Sequence, residues 1–186
     1  LSTGLNDITV LIIKDYGSYR AIDTVVFSYF YGKTELAFTD ECIDFKNWTS
    51  NGNWGNSFTE FTTAPASFTD SPGIIYPNNT RNTLTLFEGL DLSKGRSPIL
   101  QFKAKWNIEK DFDYASVYAF VRGKDTVRLC GNYTNLGAVD QLYNEPIYDG
   151  FQQSWIHEVI SLQDFQGEDN VFINFEMVSD DNLEMD

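Results

Sequence analysis

Short runs of alternating apolar and polar residues dominate this chain, and helical periodicity is nearly absent. Such runs, rich in Val, Ile, Thr, Phe and Tyr, are typical of half-buried strands. The clearest predicted strands span residues 8–13, 23–30, 82–87, 98–106, 114–121, 155–160 and 170–178. Gly, Asn, Asp and Pro punctuate the runs, and only residues 162–165 indicate a short helical turn. This pattern predicts an all-β fold, an antiparallel sandwich or barrel.

The composition shifts near residue 36 and divides the chain. Residues 1–35 hold two predicted strands joined by a turn at residues 15–18, and we interpret them as an opening hairpin or as the end of a preceding β-domain. Residues 36–186 form the second predicted domain. Two of its connections are long, residues 41–80 and 129–154, and long ordered loops in a sandwich often carry function or metal.

The charge balance restricts the classes of partner. The 186 residues carry a formal net charge of −14, so neither nucleic acid nor an anionic membrane surface is an expected partner. No run of about 18 apolar residues is present, and membrane insertion is therefore not expected. Excess carboxylates suit solubility and cation binding, and Ca²⁺ is the expected cation because it prefers hard oxygen ligands.

The residues needed for common catalytic centres are scarce. A zinc peptidase centre and a Ser-His-Asp triad both require histidine, and His157 is the single histidine of the chain. We therefore predict no catalytic residues. Glycosidase chemistry needs only two suitably spaced carboxylates, and the candidates for that alternative are Glu109, Asp111, Asp113 and Glu158.

Aromatic residues in or beside the long connections suggest a second kind of binding. Trp48, Trp54 and Tyr148 are the candidate ligand-binding residues, because exposed aromatic rings stack on the faces of sugars. The alternative is that these side chains anchor loops or fill the core. The two cysteines, Cys42 and Cys130, are either free thiols or a disulfide formed in an oxidising compartment.

An ordered series of motifs runs through residues 36–186. The series comprises Asn47-Trp48-Thr49, Trp54-Gly55, residues 69–76, Leu84-Thr85-Leu86, Leu90-Asp91-Leu92-Ser93, residues 104–114, residues 129–134, residues 146–150, residues 155–158 and Ser179-Asp180. In order and spacing it resembles the C-terminal jelly-roll module of secreted bacterial zinc carboxypeptidases of the carboxypeptidase A-like family. It is also similar to the module of immune inhibitor A-like metallopeptidases and, more distantly, to MAM domains.

The resemblance implies a secreted or cell-surface jelly-roll module that accompanies a hydrolase and carries no catalytic zinc. Its expected partner is the catalytic domain of the parent peptidase, and a further protein or glycan ligand is expected. By position in the motif series, the ligands of a bound Ca²⁺ would be Glu41 or Asp44, together with Asp70 and Asp186. Family members continue beyond this last acid into a closing strand, so we expect the sandwich to lack its final strand.

The function predicted from the sequence is thus a non-catalytic accessory module that stabilises or targets a secreted metallopeptidase. Two alternatives stay open. The first is a carbohydrate-binding module that uses the aromatic side chains, and the second is a polysaccharide-active jelly-roll enzyme that uses the carboxylates.

Overall fold

A computed structural model of the chain describes residues 4–17, 20–31 and 35–181. The fold is all-β, as predicted, and the chain divides into two compact units, Leu1–Leu36 and Ala37–Asp186. In chain order the strands are β1 Gly4–Asp15, β2 Arg20–Tyr31, β3 Trp48–Asn51, β4 Gly55–Ser57, β5 Ser67–Thr69, β6 Arg81–Leu86, β7 Ile99–Ile108, β8 Tyr114–Val121, β9 Val127–Arg128, β10 Asn135–Leu136, β11 Pro146–Ile147, β12 Gly150–Ser161 and β13 Val171–Val178.

The first unit is a hairpin of β1 and β2, paired without interruption from Gly4 opposite Tyr31 to Asp15 opposite Arg20. At the described part of its turn, the Gly17 N–H donates to the Asp15 carboxylate at 2.8 Å. Gly17 has a φ of 82°, a conformation that glycine adopts without steric cost. Apolar side chains on both strands are exposed, among them Leu11 and Ile22. The predicted turn also included Ser18, which lies outside the described residues.

The second unit is built on a five-stranded antiparallel sheet in the order β3-β6-β13-β8-β9. The alternation that predicted these strands sends one set of side chains into the core, including Val117 and Ala119 of β8 and Ile173 of β13. The pair formed by β7 and β12 contributes Leu100 and Ile160 to the same core cluster. The unit is therefore a sandwich with a continuous apolar interior.

The two long connections contain short strands that the sequence pattern did not reveal. The pair of β4 and β5 lies within residues 41–80, and the pair of β10 and β11 lies within residues 129–154. The predicted helical turn is present as a single 3₁₀ turn, Gln163–Phe165. Among the described residues it is the one helical element.

A buried carboxylate fastens the connection that follows β9. Glu158 of β12 has no exposed surface, and its carboxylate accepts the backbone N–H groups of Asn132 at 2.7 Å, Tyr133 at 3.0 Å and Val159 at 2.9 Å. The Tyr148 hydroxyl donates to the same carboxylate at 3.0 Å. Four donors thus satisfy a buried charge, and they hold the loop against the sandwich.

Candidate metal centre

Three acidic side chains meet at one end of the sandwich. Glu109 follows β7, Asp113 precedes β8, and Asp180 lies two residues beyond the end of β13. Because β13 pairs with β8 in antiparallel register, with Val178 opposite Tyr114, the chain leaving β13 passes beside Asp113. Ligand oxygens of the three carboxylates all lie within 4.8 Å of one another, and no other such group occurs among the described residues.

Asp113 is the central member of this acidic cluster. Its side chain has no exposed surface, and one carboxylate oxygen accepts the N–H of Asp180 at 2.8 Å. The other oxygen, Oδ2, is buried and has no hydrogen-bond partner. A buried carboxylate oxygen without a partner costs free energy unless a proton or a cation satisfies it. The Asp113 carboxylate therefore has one oxygen left to accept a proton or to bind a cation.

Surrounding contacts fix the positions of the three acids. The Glu109 N–H donates to the Tyr76 hydroxyl at 3.0 Å, and the Gln141 side-chain amide donates to the Asp113 carbonyl at 2.6 Å. The Asn79 N–H donates to the Asp180 carbonyl. Segments from the connection before β6, the β7–β8 turn and the exit of β13 are thus brought together.

The buried phenol of Tyr76 lies beside the acidic cluster, and its protonation state depends on its burial and on these carboxylates. Its side chain is 6% exposed. Burial raises the pKa of Tyr76 far above its ordinary value, and the neighbouring Asp113 and Glu109 carboxylates add to this rise. The phenol therefore stays protonated and neutral, and it does not compensate the clustered negative charge. Three carboxylates at this spacing repel one another, whereas a set of oxygen ligands of this kind suits a hard divalent cation.

The ligands expected from the motif series lie elsewhere. Glu41 and Asp44 are exposed and line a cavity of about 230 Å³ together with Lys46. Asp70 has a buried Oδ2 without a hydrogen-bond partner, and none of these three acids belongs to the cluster found. Asp186 lies outside the described residues, so the site predicted from the sequence stays a prediction.

Replacing Asp70 by asparagine gives a stability change that depends on pH. Burial raises the pKa of the Asp70 carboxyl above 3.8. A raised pKa in the folded state stabilises the fold below the unfolded-state pKa, and this contribution is lost as the pH rises through the folded-state pKa. We therefore expect Asp70→Asn to raise the unfolding free energy at pH 7, because it removes a buried charged oxygen without a partner, and such a group costs about 1 kcal/mol or more. The gain should vanish below pH 3.8. Urea unfolding across this pH range measures the gain at pH 7 and its disappearance at low pH. If the variant instead loses the stabilisation that Ca²⁺ gives to the wild type, Asp70 is a Ca²⁺ ligand.

The aromatic candidates are largely engaged in packing. Trp48 is half-buried, its indole N–H donates to Asp40 at 3.2 Å, and its ring lies edge-on to Phe175 at 5.9 Å. Trp54 is also half-buried, and its indole N–H is buried without a partner. Tyr148 is 4% exposed, and its hydroxyl donates to Glu158 at 3.0 Å. The ligand-binding role of these three aromatic residues stays a prediction.

The carboxylates considered for glycosidase chemistry separate into different environments. Glu158 is buried and fully hydrogen-bonded, whereas Glu109 and Asp113 belong to the acidic cluster. Asp111 is exposed and has a φ of 70° in the turn between β7 and β8. His157 is exposed on β12, opposite Lys103. Cys42 and Cys130 are both free thiols.

A comparison with curated proteins finds a similarity over part of the chain. No protein-family model matches the chain. Bacillopeptidase F of Bacillus subtilis (strain 168) is 28% identical over 105 residues, which is 56% of this chain and 6% of that protein. The chain is therefore similar to a small segment of a peptidase, in keeping with a peptidase-associated domain. Among the described residues, no helix is long and apolar enough to cross a membrane.

Proposed function

We propose that the chain is a non-catalytic accessory module of a secreted or cell-surface peptidase, and that its jelly-roll sandwich is stabilised by a Ca²⁺ ion. The observation that carries the calcium part is the buried Oδ2 of Asp113, which has no hydrogen-bond partner, in a carboxylate that lies close to two further acids. The similarity to a segment of a peptidase supports the accessory part.

Glu109, Asp113 and Asp180 are the proposed ligands. A cation between them would neutralise mutual repulsion and would satisfy the orphan oxygen at the same time. It would also connect the β7–β8 turn to the chain that leaves β13, two segments separated by 67 residues at the Asp113–Asp180 contact. Ca²⁺ is favoured over Mg²⁺ because Ca²⁺ accepts irregular sets of carboxylate and carbonyl oxygens, whereas Mg²⁺ requires near-ideal octahedral geometry.

Thermal unfolding in CaCl₂ and in EDTA tests the calcium part. At a free Ca²⁺ concentration about one hundred times the dissociation constant, binding to the folded state alone adds about 2.7 kcal/mol. For a chain of this size, this corresponds to a rise in Tm of about 5–11 °C. MgCl₂ at the same concentration is expected to give a smaller rise. A Tm that is equal in CaCl₂ and in EDTA would contradict the proposal.

Activity assays separate the accessory module from the polysaccharide-active alternative. The purified chain is expected to leave peptide and polysaccharide substrates unchanged over long incubations. Depolymerisation that is lost in Glu109→Gln would replace the accessory role by a catalytic one, since Glu109 is a candidate for both chemistries. The carbohydrate-binding alternative needs aromatic or charged side chains on an accessible surface rather than the buried Tyr148 ring.

A further inference from the structure

The outer surface of the five-stranded sheet differs in charge from the rest of the chain. Ile173 and Phe175 of β13 face the core, so Glu176 points to the opposite side. In the antiparallel ladders Glu176 lies opposite Ser116 of β8, and the next pairs along this face bring in side chains of β6 and β9. We call the following set the arginine face: Arg81, Tyr114, Tyr118, Arg122, Arg128 and Glu176.

One buried carboxylate organises two of these arginines. The Glu176 side chain has no exposed surface, although it lies on the outside of the sheet. Arg81 Nε donates to Glu176 Oε2 at 2.8 Å, and Arg128 Nη1 donates to Oε1 at 3.0 Å. Burying a charge is costly unless it is paired, and here two guanidinium groups pair with one carboxylate. The pairing holds both guanidinium groups in fixed orientations.

The face carries more positive than negative charge. Arg122 places its guanidinium 4.7 Å from the centroid of the Phe172 ring on the same side of the sheet, so three guanidinium groups share the face with one carboxylate. The whole chain has a net charge of −14. A local excess of positive charge in an acidic molecule favours an anionic ligand at that place. The negative charge of the rest of the chain repels such a ligand elsewhere.

Arginine and tyrosine groups on this face remain available to a ligand. The Arg81 side chain is 62% exposed and uses Nε and Nη2 for Glu176, which leaves further N–H donors of its fork. Arg128 covers the Tyr118 ring at 5.1 Å. Burial raises the pKa of both Tyr114 and Tyr118, and the Glu176 carboxylate adds to the rise. Their hydroxyls are therefore neutral and able to donate hydrogen bonds at neutral pH.

We infer that the arginine face binds an acidic polysaccharide, with the guanidinium groups on uronate carboxylates and the Tyr114 and Tyr118 hydroxyls on sugar hydroxyls. The guanidinium fork matches a carboxylate in a bidentate geometry. The hydroxyl of Thr83, which lies opposite Glu176, and the two phenol groups can hydrogen-bond to sugar hydroxyls, and a chain that carries both carboxylates and hydroxyls therefore suits this face better than an acidic peptide does. This site is independent of the proposed cation and uses none of the aromatic residues predicted from the sequence.

Binding of hyaluronan and galacturonate oligosaccharides to the full chain tests the inference by isothermal titration calorimetry. A neutral maltodextrin and a poly-glutamate peptide of similar length serve as comparison ligands. Saturable binding of at least one uronate oligosaccharide is expected, with an affinity at least tenfold above that of either comparison ligand. Failure of both uronate oligosaccharides to bind would overturn the inference. Equal affinity for poly-glutamate would show a response to charge alone and would overturn it as well.

Two substitutions on the face and one elsewhere locate the site. Arg122→Ala removes an exposed guanidinium that is not paired with Glu176, and Arg81→Lys keeps the charge while it removes the fork. Each is expected to weaken uronate binding about tenfold. Arg96→Ala removes the same charge from an exposed loop residue and should leave binding unchanged. An equal loss in Arg96→Ala, or no loss in the two variants of the face, would contradict the assignment.

Discussion

Asp113→Asn is expected to change thermal stability in opposite directions with and without Ca²⁺. In EDTA the variant should unfold at a higher temperature than the wild type, because it removes one of three clustered charges from a fully buried position. In CaCl₂ the variant should lose most of the increment that the wild type gains. Most of the Ca²⁺-induced stabilisation of about 2.7 kcal/mol is thus expected to be absent from the variant.

Differential scanning calorimetry in EDTA and in CaCl₂ measures the difference in Tm between the variant and the wild type under each condition. Asp125→Asn is the matched control, because it removes the same charge from an exposed position, and its Ca²⁺ increment should equal that of the wild type. A destabilised Asp113→Asn in EDTA would mean that the carboxylate forms a favourable interaction without a cation. An unchanged Ca²⁺ increment in this variant would remove Asp113 from the ligand set.

Glu158→Ala is expected to be the most destabilising single substitution. It leaves the N–H groups of Asn132, Tyr133 and Val159 and the Tyr148 hydroxyl without their acceptor. Each buried donor without a partner costs about 1–3 kcal/mol. Partial access of water to the loop offsets some of this cost, so we expect a loss of about 4 kcal/mol or more of unfolding free energy.

Chemical unfolding of Glu158→Ala, Glu158→Gln and Glu145→Gln measures the effect. Glu158→Gln keeps one acceptor oxygen and should lose less stability than Glu158→Ala. Glu145 is exposed, and its substitution should change the unfolding free energy by less than about 0.5 kcal/mol. If Glu158→Ala were as stable as Glu145→Gln, the four hydrogen bonds would not hold the loop.

Strands could be predicted where one face of the chain is buried. β8 and β13 have regular alternation and lie beside each other in the sheet, and their predicted bounds match the structure closely. The short strands β4 and β5 could not be predicted, since three residues carry no measurable period. The hairpin of the first unit followed from two apolar runs around a turn that contains Gly17.

The acidic cluster could be predicted only in part. Glu109 and Asp113 were singled out only among the candidates for glycosidase chemistry, and the cation was expected at other acids. Asp180 was one of several acids near the end of the chain. Its position beside Asp113 depends on the register of β13 on β8, and a sequence without known strand pairing does not specify that register.

Isothermal titration calorimetry of the wild-type chain, after removal of divalent ions, determines whether the acidic cluster binds Ca²⁺. We expect one Ca²⁺ per chain, with binding abolished in Asp113→Asn and retained in Asp125→Asn. The absence of a binding heat together with an unchanged Tm in CaCl₂ would contradict this expectation, as would stoichiometric binding that persists in Asp113→Asn.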